Sequence, residues 1–150
     1  MSKSVGAEAV TIEAAIAELY RLANSPVNHR ARQQRLGTDL SRTELEALRR
    51  VDELDVATVT SMSEVLGLSL AATSRTLARL EGEGYLVRRA DPDDGRVVRF
   101  ETTATGSRTS ERFQASTRRE INQVLSLWPE RDRRQLADLF SQLVAQMRGD

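Results

Sequence analysis

The residues of this 150-residue sequence best suited to binding a ligand are arginines and serines. Some of them are spaced to share one face of a helix, and another arginine lies in a turn. Arg75 and Arg79 are four residues apart, so they share one face of a helix that Ser69 would begin. Arg96 ends the segment Asp-Pro-Asp-Asp-Gly-Arg, whose proline and glycine are typical of a tight turn. A guanidinium donates paired hydrogen bonds to a phosphate or to O6 and N7 of guanine. This placement indicates a nucleic-acid ligand.

The elements around these arginines form a helix, a turn, a second helix and a hairpin. The segment Ser61-Met62-Ser63-Glu64 matches a capping box and predicts the start of a short helix. Its predicted buried residues are Met62, Val65 and Leu66. Gly67 suits the left-handed residue that ends this helix, and Ser69 suits the N-cap of the next.

The second helix is predicted to run from Ser69 to about Glu83 with one buried and one open face. The predicted inward residues are Thr73, Leu77 and Leu80. The predicted outward residues are Ala71, Ser74, Arg75, Ala78 and Arg79. An antiparallel hairpin with strands at 85–89 and 97–102 follows. Residues 56–59, three of which are β-branched, predict a small strand that pairs with it.

Amphipathic helices flank this central part. A helix is predicted at 7–23, a turn or two of helix in the basic segment after it, and a Ser41–Glu44 capping box that begins a helix ending near Leu54. A long helix is predicted at 105–127, with Pro129 in the first turn of the last helix. The strongest apolar stripe of the chain lies on that last helix: Leu136, Leu139, Phe140, Leu143, Val144 and Met147.

Composition excludes several classes of function. The chain has no cysteine, so disulfides, thiol redox sensing and thiolate metal sites are excluded. With His29 as its one histidine and no glycine-rich phosphate loop, it presents no catalytic constellation, and we expect neither an enzyme, a cofactor nor a metal site. No segment is apolar enough for a membrane span or a signal peptide, so we expect a cytoplasmic protein.

The formal net charge is zero, which alone argues against a nucleic-acid binder. The arginines nevertheless cluster in the second helix and hairpin, while acidic residues are frequent elsewhere. Of the 22 basic residues only Lys3 is lysine, a bias that suits phosphate and guanine contacts but that a GC-rich genome also produces.

Three motifs in order resemble the MarR family of bacterial transcriptional regulators. They are LSRTELEALRRV, then EVLGLSLAATSRTLARLEGEGYLVRR, then DPDDGRVVRFETTATG. The last fits the family's Asp-Pro-x-Asp-x-Arg hairpin tip and its Leu-Thr-x-x-Gly close, with Thr102 in place of the usual leucine. The resemblance covers nearly the whole chain.

The resemblance implies a mainly α fold with a small β-wing: a winged helix-turn-helix flanked by N- and C-terminal dimerisation helices. Residues 1–150 would form a single domain, with the winged helix-turn-helix at 41–104 and dimerisation helices at 7–36 and 105–147. The implied protein is a homodimeric regulator, more often a repressor, that binds double-stranded DNA at a pseudo-palindromic operator. Many members release DNA when a small, often aromatic, acid binds, so a small aromatic or anionic effector is implied.

The candidate DNA-binding residues follow from both lines of reasoning: Ser69, Ala71, Ser74, Arg75, Arg79, Arg88, Arg89, Asp94, Arg96 and Arg99. Arg75 is assigned to a guanine in the major groove, and Arg96 to a narrow minor groove with Asp94 holding it by a charge-assisted bond. Arg79 either contacts phosphate or pairs with Glu83. Arg88, Arg89 and Arg99 are weaker phosphate candidates. The alternative function is a protein-interaction module on a winged-helix scaffold without DNA binding, which the zero net charge favours.

Overall fold

The computed structural model describes residues 2–149, and the side chains from residue 6 to residue 149. The elements in chain order are α1 (Ser2–Ala23), α2 (Pro26–Leu36), α3 (Arg42–Glu53), α4 (Val59–Leu66), α5 (Leu70–Gly82), β1 (Leu86–Ala90), β2 (Val98–Thr102), α6 (Ala104–Leu125) and α7 (Glu130–Arg148). Contacts group the chain into two compact units, Met1–Phe113 and Gln114–Asp150. The chain is mainly α-helical with one two-stranded sheet, as the sequence predicts. No helix in the described part is long and apolar enough to cross a membrane.

The hydrophobic core of the first unit lies between α3, α4, α5 and the hairpin. Its buried residues are Leu36, Leu40, Leu45, Ala47, Leu48, Val51, Ala57, Met62, Leu77, Leu80, Leu86, Phe100 and Phe113. The predicted inward face of α5 is confirmed, since Thr73, Leu77 and Leu80 are fully buried. On α4 the prediction is right for Met62 and wrong for Val65, which stays 39% exposed.

Capping boxes begin both α3 and α4. Ser41 and Glu44 form the predicted one: the Glu44 amide donates to Ser41 Oγ at 3.2 Å, and the Ser41 amide donates to Glu44 Oε2 at 2.7 Å. The predicted box at Ser61–Glu64 is wrong, because Thr58 caps α4 and Ser61 is its reciprocal partner at 2.9 Å. Ser61 therefore lies inside the helix that it was expected to begin.

The strand predicted at residues 56–59 is reduced to one bridge. Ala57 pairs with Phe100, whose amide donates to the Ala57 carbonyl at 2.8 Å. Thr58 is already the N-cap of α4 and Val59 its first residue, so the strand has no length left to continue.

Glycine and serine separate α4 from α5 as predicted. Gly67 ends α4 in the left-handed conformation, with φ of 63°. Ser69 caps α5 and its hydroxyl accepts a hydrogen bond from the Ala72 amide at 3.2 Å.

The hairpin strands start one residue later than the sequence predicts at 85 and 97, and β1 also ends one residue later. They pair in antiparallel register from Leu86 opposite Thr102 to Ala90 opposite Val98. Phe100 is buried where the hairpin meets the helices. Val98 is on the same face but 43% exposed, because it lies at the end of the strand next to the hairpin tip.

The flanking helices differ from prediction mainly in length. α1 begins at Ser2 rather than residue 7, and α2 has 11 residues rather than one or two turns. α6 begins and ends slightly earlier than predicted, and Pro129 is the N-cap of α7 instead of a residue of its first turn. Apolar side chains of these helices remain exposed: Ile12, Ile16, Leu19 and Tyr20 on α1, Ile121 and Val124 on α6, and Leu136, Leu139, Phe140 and Met147 on α7.

Candidate nucleic-acid interface

The outward face of α5 is open, as the sequence predicts. Ala71, Ser74, Arg75, Ala78 and Arg79 are all exposed, while α3 and α4 pack on the opposite side. The side chains at 71, 74 and 78 are small, so the helix backbone around Arg75 is not shielded by bulky neighbours. Such a face can approach a base-pair edge closely.

Ser69 and Ser74 supply hydroxyl groups to the same end of α5. The Ser69 oxygen accepts the Ala72 amide as an N-cap, and its O–H remains able to donate. Ser74 is exposed. Both positions are compatible with the predicted phosphate or base-edge contacts, which stay predictions.

Arg75 and Arg96 have no ion pair or hydrogen bond from their guanidinium groups to any residue in the described part of the chain. Arg75 is exposed on α5, and Arg96 is exposed at the hairpin tip. The sequence assigns Arg75 to a guanine in the major groove and Arg96 to a narrow minor groove. Each presents an unneutralised positive charge with all five N–H donors available for a ligand.

Asp91 organises the hairpin tip. Its Oδ1 accepts from the amides of Asp93 at 2.7 Å and Asp94 at 3.0 Å, and its Oδ2 accepts from Nε of Arg99. The Asp94 and Asp93 amides, together with Arg99, lower the pKa of the Asp91 carboxyl. The turn that carries Arg96 is therefore built on an ionised Asp91.

Asp94 does not hold the Arg96 side chain, so that prediction is corrected. Its Oδ1 accepts from the backbone amide of Arg96 at 3.0 Å. This is the hydrogen bond of an Asx turn, in which the side chain of an aspartate accepts from the backbone N–H two residues later in the chain. Asp94 shapes the turn and leaves the guanidinium free.

Every other candidate arginine faces a carboxylate. Arg88 pairs with Glu81 at 2.6 Å and lies over the Phe100 ring, 5.4 Å from its centre. Arg89 pairs with Glu101 at 3.5 Å, and Arg99 pairs with Asp91. Their phosphate contacts stay predictions, but much of their charge is balanced by Glu81 on α5 and by Asp91 and Glu101 of the hairpin.

Arg79 takes the partner that the sequence offered as the alternative to phosphate. Its Nε donates to Glu83 at 2.8 Å, and its other nitrogens approach Glu44 at 2.8 Å and Asp39 at 3.4 Å. The hydrogen bond to Glu83, and then the charge of Glu44, raise its pKa above the ordinary arginine value. Its contact with DNA also stays a prediction.

Residues 40–98, which span α3 to the start of β2, match the family model described as MarR family. The chain is also 29% identical over 105 residues to YxaD, a helix-turn-helix-type transcriptional regulator of Bacillus subtilis (strain 168). That match covers 70% of this chain and 73% of YxaD. Over this segment the chain is therefore similar to the MarR family.

Two solved structures share the winged-helix fold of this chain. A MarR family protein from Bacillus stearothermophilus matches with a TM-score of 0.79 and 22% identity, over 98% of both chains. Streptococcus pneumoniae FabT, whose crystal structure is in complex with DNA, matches with a TM-score of 0.79 and 16% identity, over 93% of this chain and 96% of that one. At these identities the likeness concerns the fold.

Sequence reasoning missed two carboxylates of this chain. Asp91 was seen only as part of a turn motif, although the spacing of a turn aspartate and the amides after it was a usable signal. Glu44 was recognised as a cap but not as a partner of Arg79. No local pattern could reveal that pair, because the two residues are 35 positions apart.

Proposed function

We propose that two copies of this chain form a homodimeric repressor that binds a pseudo-palindromic duplex and is released by a small aromatic or anionic effector. The observation that carries the DNA-reading part is the contrast among the candidate arginines. Arg75 and Arg96 lack partners within residues 6–149, whereas Arg79, Arg88, Arg89 and Arg99 are paired with carboxylates.

Arg75 is assigned to a base edge in the major groove. It projects from the exposed face of α5, the second helix of the helix-turn-helix, which in this motif lies in the major groove. A free guanidinium there can form the bidentate contact to O6 and N7 of guanine. Neighbouring Ala71 and Ala78 let the helix backbone come near the bases, while Ser69 and Ser74 donate to phosphates or base edges.

Arg96 is assigned to the minor groove beside that major groove. The hairpin tip is narrow and exposed, and Asp91 and Asp94 fix its backbone without taking up the Arg96 side chain. The negative potential of a narrow minor groove attracts such a group. Arg96 would therefore respond to the width of the minor groove rather than to the pattern of hydrogen-bond donors and acceptors on the base edges.

The zero net charge is compatible with this assignment. Several carboxylates in and around the winged helix-turn-helix pair with nearby arginines, such as Glu46 with Arg49 and Arg50 on α3. These pairs cancel in the total charge. Among the candidate DNA-binding arginines, Arg75 and Arg96 remain without a carboxylate partner in the described residues, and a basic overall composition is not required for them to act.

Dimerisation is supported by apolar side chains that the single chain leaves exposed. On α7, Leu139 is 55% exposed and Phe140 is 48% exposed, and Leu19 on α1 is 56% exposed. Within each helix, apolar side chains that stay exposed in a single chain are available for contact with another chain. The MarR resemblance supports the homodimer, the repressor role and the effector, since many members release DNA on binding a small acid.

Selection from a random-sequence library of DNA duplexes tests this function. We expect the wild-type protein to enrich a pseudo-palindrome with half-sites about one helical turn, roughly 10 base pairs, apart. Repeating the selection with benzoate and other aromatic acids tests effector release. Binding that persists in low salt and falls steeply as salt rises is expected of phosphate contacts. A protein without DNA affinity at low salt would instead favour the protein-interaction module.

A further inference from the structure

Arg79 lies at a junction of three carboxylates that come from separate parts of the chain. Arg79 Nε donates to Glu83, the C-cap residue of α5. One terminal nitrogen of the guanidinium donates to Glu44 on α3, and the other approaches Asp39, which precedes α3. All three nitrogens of the guanidinium are thus engaged. Although Arg79 is one turn from Arg75 on the exposed side of α5, its donors are directed at the protein.

Glu44 is the anchor of this junction. It is only 6% exposed, and both of its oxygens are used: Oε1 accepts from Arg79 and Oε2 accepts from the Ser41 amide. A buried carboxylate is strongly destabilising without a partner, so Arg79 is held in place. Asp39, by contrast, is 77% exposed on its side chain and its nitrogen contact is longer.

Apolar packing determines which face of α5 is buried, and a directional bond adds a further restraint on the rotation of the helix. Leu77 and Leu80 are fully buried against the core, but contacts between apolar side chains have little directional preference. A charge-assisted bond does have a preferred direction and length. The Glu44–Arg79 bond joins the first turn of α3 to the third turn of α5, so it resists rotation of α5 about its own axis.

We propose that Arg79 and Glu44 are a positioning pair that sets the direction in which Arg75 leaves α5, so that they determine DNA specificity without contacting DNA. This role rests on the proposed function, because it acts through Arg75. Arg75 is four residues before Arg79 on the same helical face, and a small rotation at Arg79 displaces the Arg75 guanidinium relative to a base edge.

For Glu44→Gln, the positioning role and simple electrostatics predict opposite changes in affinity for the selected duplex. Glutamine can still cap α3, so the local helix start is retained. The variant loses one negative charge and frees Arg79, which on charge alone would tighten binding to any duplex. Positioning predicts the reverse for the duplex that wild type selects: affinity falls by about tenfold, while affinity for a scrambled duplex is unchanged or slightly higher.

The salt dependence of Arg79→Gln separates positioning from a phosphate contact. If Arg79 bound a phosphate in each subunit of a dimer, the slope of log affinity against log salt would shrink by roughly 0.9 for each lost contact. Positioning predicts an unchanged slope with a lower affinity for the selected duplex. Arg79→Lys, which keeps the charge but not the geometry of a guanidinium, is expected to recover part of that affinity.

Glu53→Gln is the matched control. Glu53 lies on the same helix and pairs with Arg49 and Arg50, and its loss changes the charge equally without touching α5. We expect its affinity for the selected duplex to equal or exceed that of wild type. Circular dichroism at the binding temperature verifies that each variant is folded. If Glu44→Gln is unfolded, Arg79→Lys and Arg79→Gln decide the matter alone.

The outcomes distinguish this inference from the proposed function. Wild type that selects no duplex, or Arg75→Ala that binds normally, overturns the proposed function and with it the positioning role. Wild type that selects a duplex and loses it with Arg75→Ala, while Glu44→Gln binds as well as Glu53→Gln, overturns the positioning pair alone. A salt slope reduced by Arg79→Gln also overturns it, in favour of direct phosphate contact.

Discussion

Gly106 lies against the carbonyl oxygen of Tyr85 so closely that a Cβ placed on it would be 2.1 Å from that oxygen. The contact joins the first turn of α6 to the residue that precedes β1. Thr103 completes the junction, because its amide donates to the Tyr85 carbonyl at 3.0 Å and its hydroxyl accepts from the Gly106 amide at 3.1 Å. This explains physically why the hairpin closes on Thr-x-x-Gly.

Gly106→Ala is expected to destabilise the fold by about 1–3 kcal/mol, because the neighbouring atom is backbone and cannot move aside as a flexible side chain would. Chemical denaturation monitored by circular dichroism measures the change. Gly82→Ala is the control, since a Cβ there meets nothing within 4 Å. It should leave stability unchanged or raise it by up to ~1 kcal/mol. Equal effects of the two substitutions would contradict the steric explanation.

Thr73→Val is expected to leave stability unchanged or raise it by about 1 kcal/mol. The Thr73 side chain is fully buried and its hydroxyl has no hydrogen-bond partner in the described structure, so its removal relieves a desolvation penalty. Thr76→Val is the matched comparison on the same helix, since its hydroxyl donates to the Ala72 carbonyl at 3.0 Å. Thermal melts of both variants measure the difference. A clear loss of stability in Thr73→Val would show that its hydroxyl has a partner, such as a bound water.

Asp91 is expected to make the stability of the hairpin depend on pH in the acidic range. Its folded pKa is lowered, so the stability that it contributes is present above its unfolded pKa and is lost as pH falls through the folded value. We expect the stability difference between wild type and Asp91→Asn to be constant near neutral pH and to fade below about pH 4.

Denaturation at a series of pH values measures that difference. Asp93→Asn is the control on the same turn, because the Asp93 carboxylate accepts no hydrogen bond within the described residues. A stability difference for Asp91→Asn that grows on acidification would contradict the assignment.

Leu139→Asp is expected to convert a dimer to a monomer. Leu139 is in the apolar stripe of α7, where no residue is buried in the single chain, and a charge placed in an apolar interface is costly. Analytical ultracentrifugation of wild type and variant measures the mass. Ser141→Asp adds the same charge at an exposed position outside the stripe and should remain dimeric. A wild type with the mass of one chain would contradict the dimer.

The parts of the fold that depend on local chemistry were predictable from the sequence. Ser41 and Glu44, Gly67 and Ser69 each act within three or four residues, so their roles in capping and turning follow from residue type and spacing. The periodicity of α5 likewise predicted Thr73, Leu77 and Leu80 as buried.

The errors arose where two local signals competed or where a partner was distant. Ser61 resembles an N-cap, but Thr58 three residues earlier offers the same hydroxyl and takes that role. The β-branched residues before α4 indicated a strand that tertiary packing shortens to the Ala57 bridge. Which arginines are neutralised depends on contacts such as Arg79 with Glu44, and these cannot be derived from composition.

The most direct test of the central claim is the affinity of Arg75→Ala, Arg96→Ala and Arg89→Ala for the duplex that wild type selects, measured at one salt concentration. All three remove one exposed positive charge, but only Arg89 is paired, with Glu101. We predict a loss of about 1–3 kcal/mol for Arg75→Ala and for Arg96→Ala, and a much smaller loss for Arg89→Ala. Equal losses in the three variants, or unchanged affinity in the first two, would contradict the claim that the unpaired arginines read DNA.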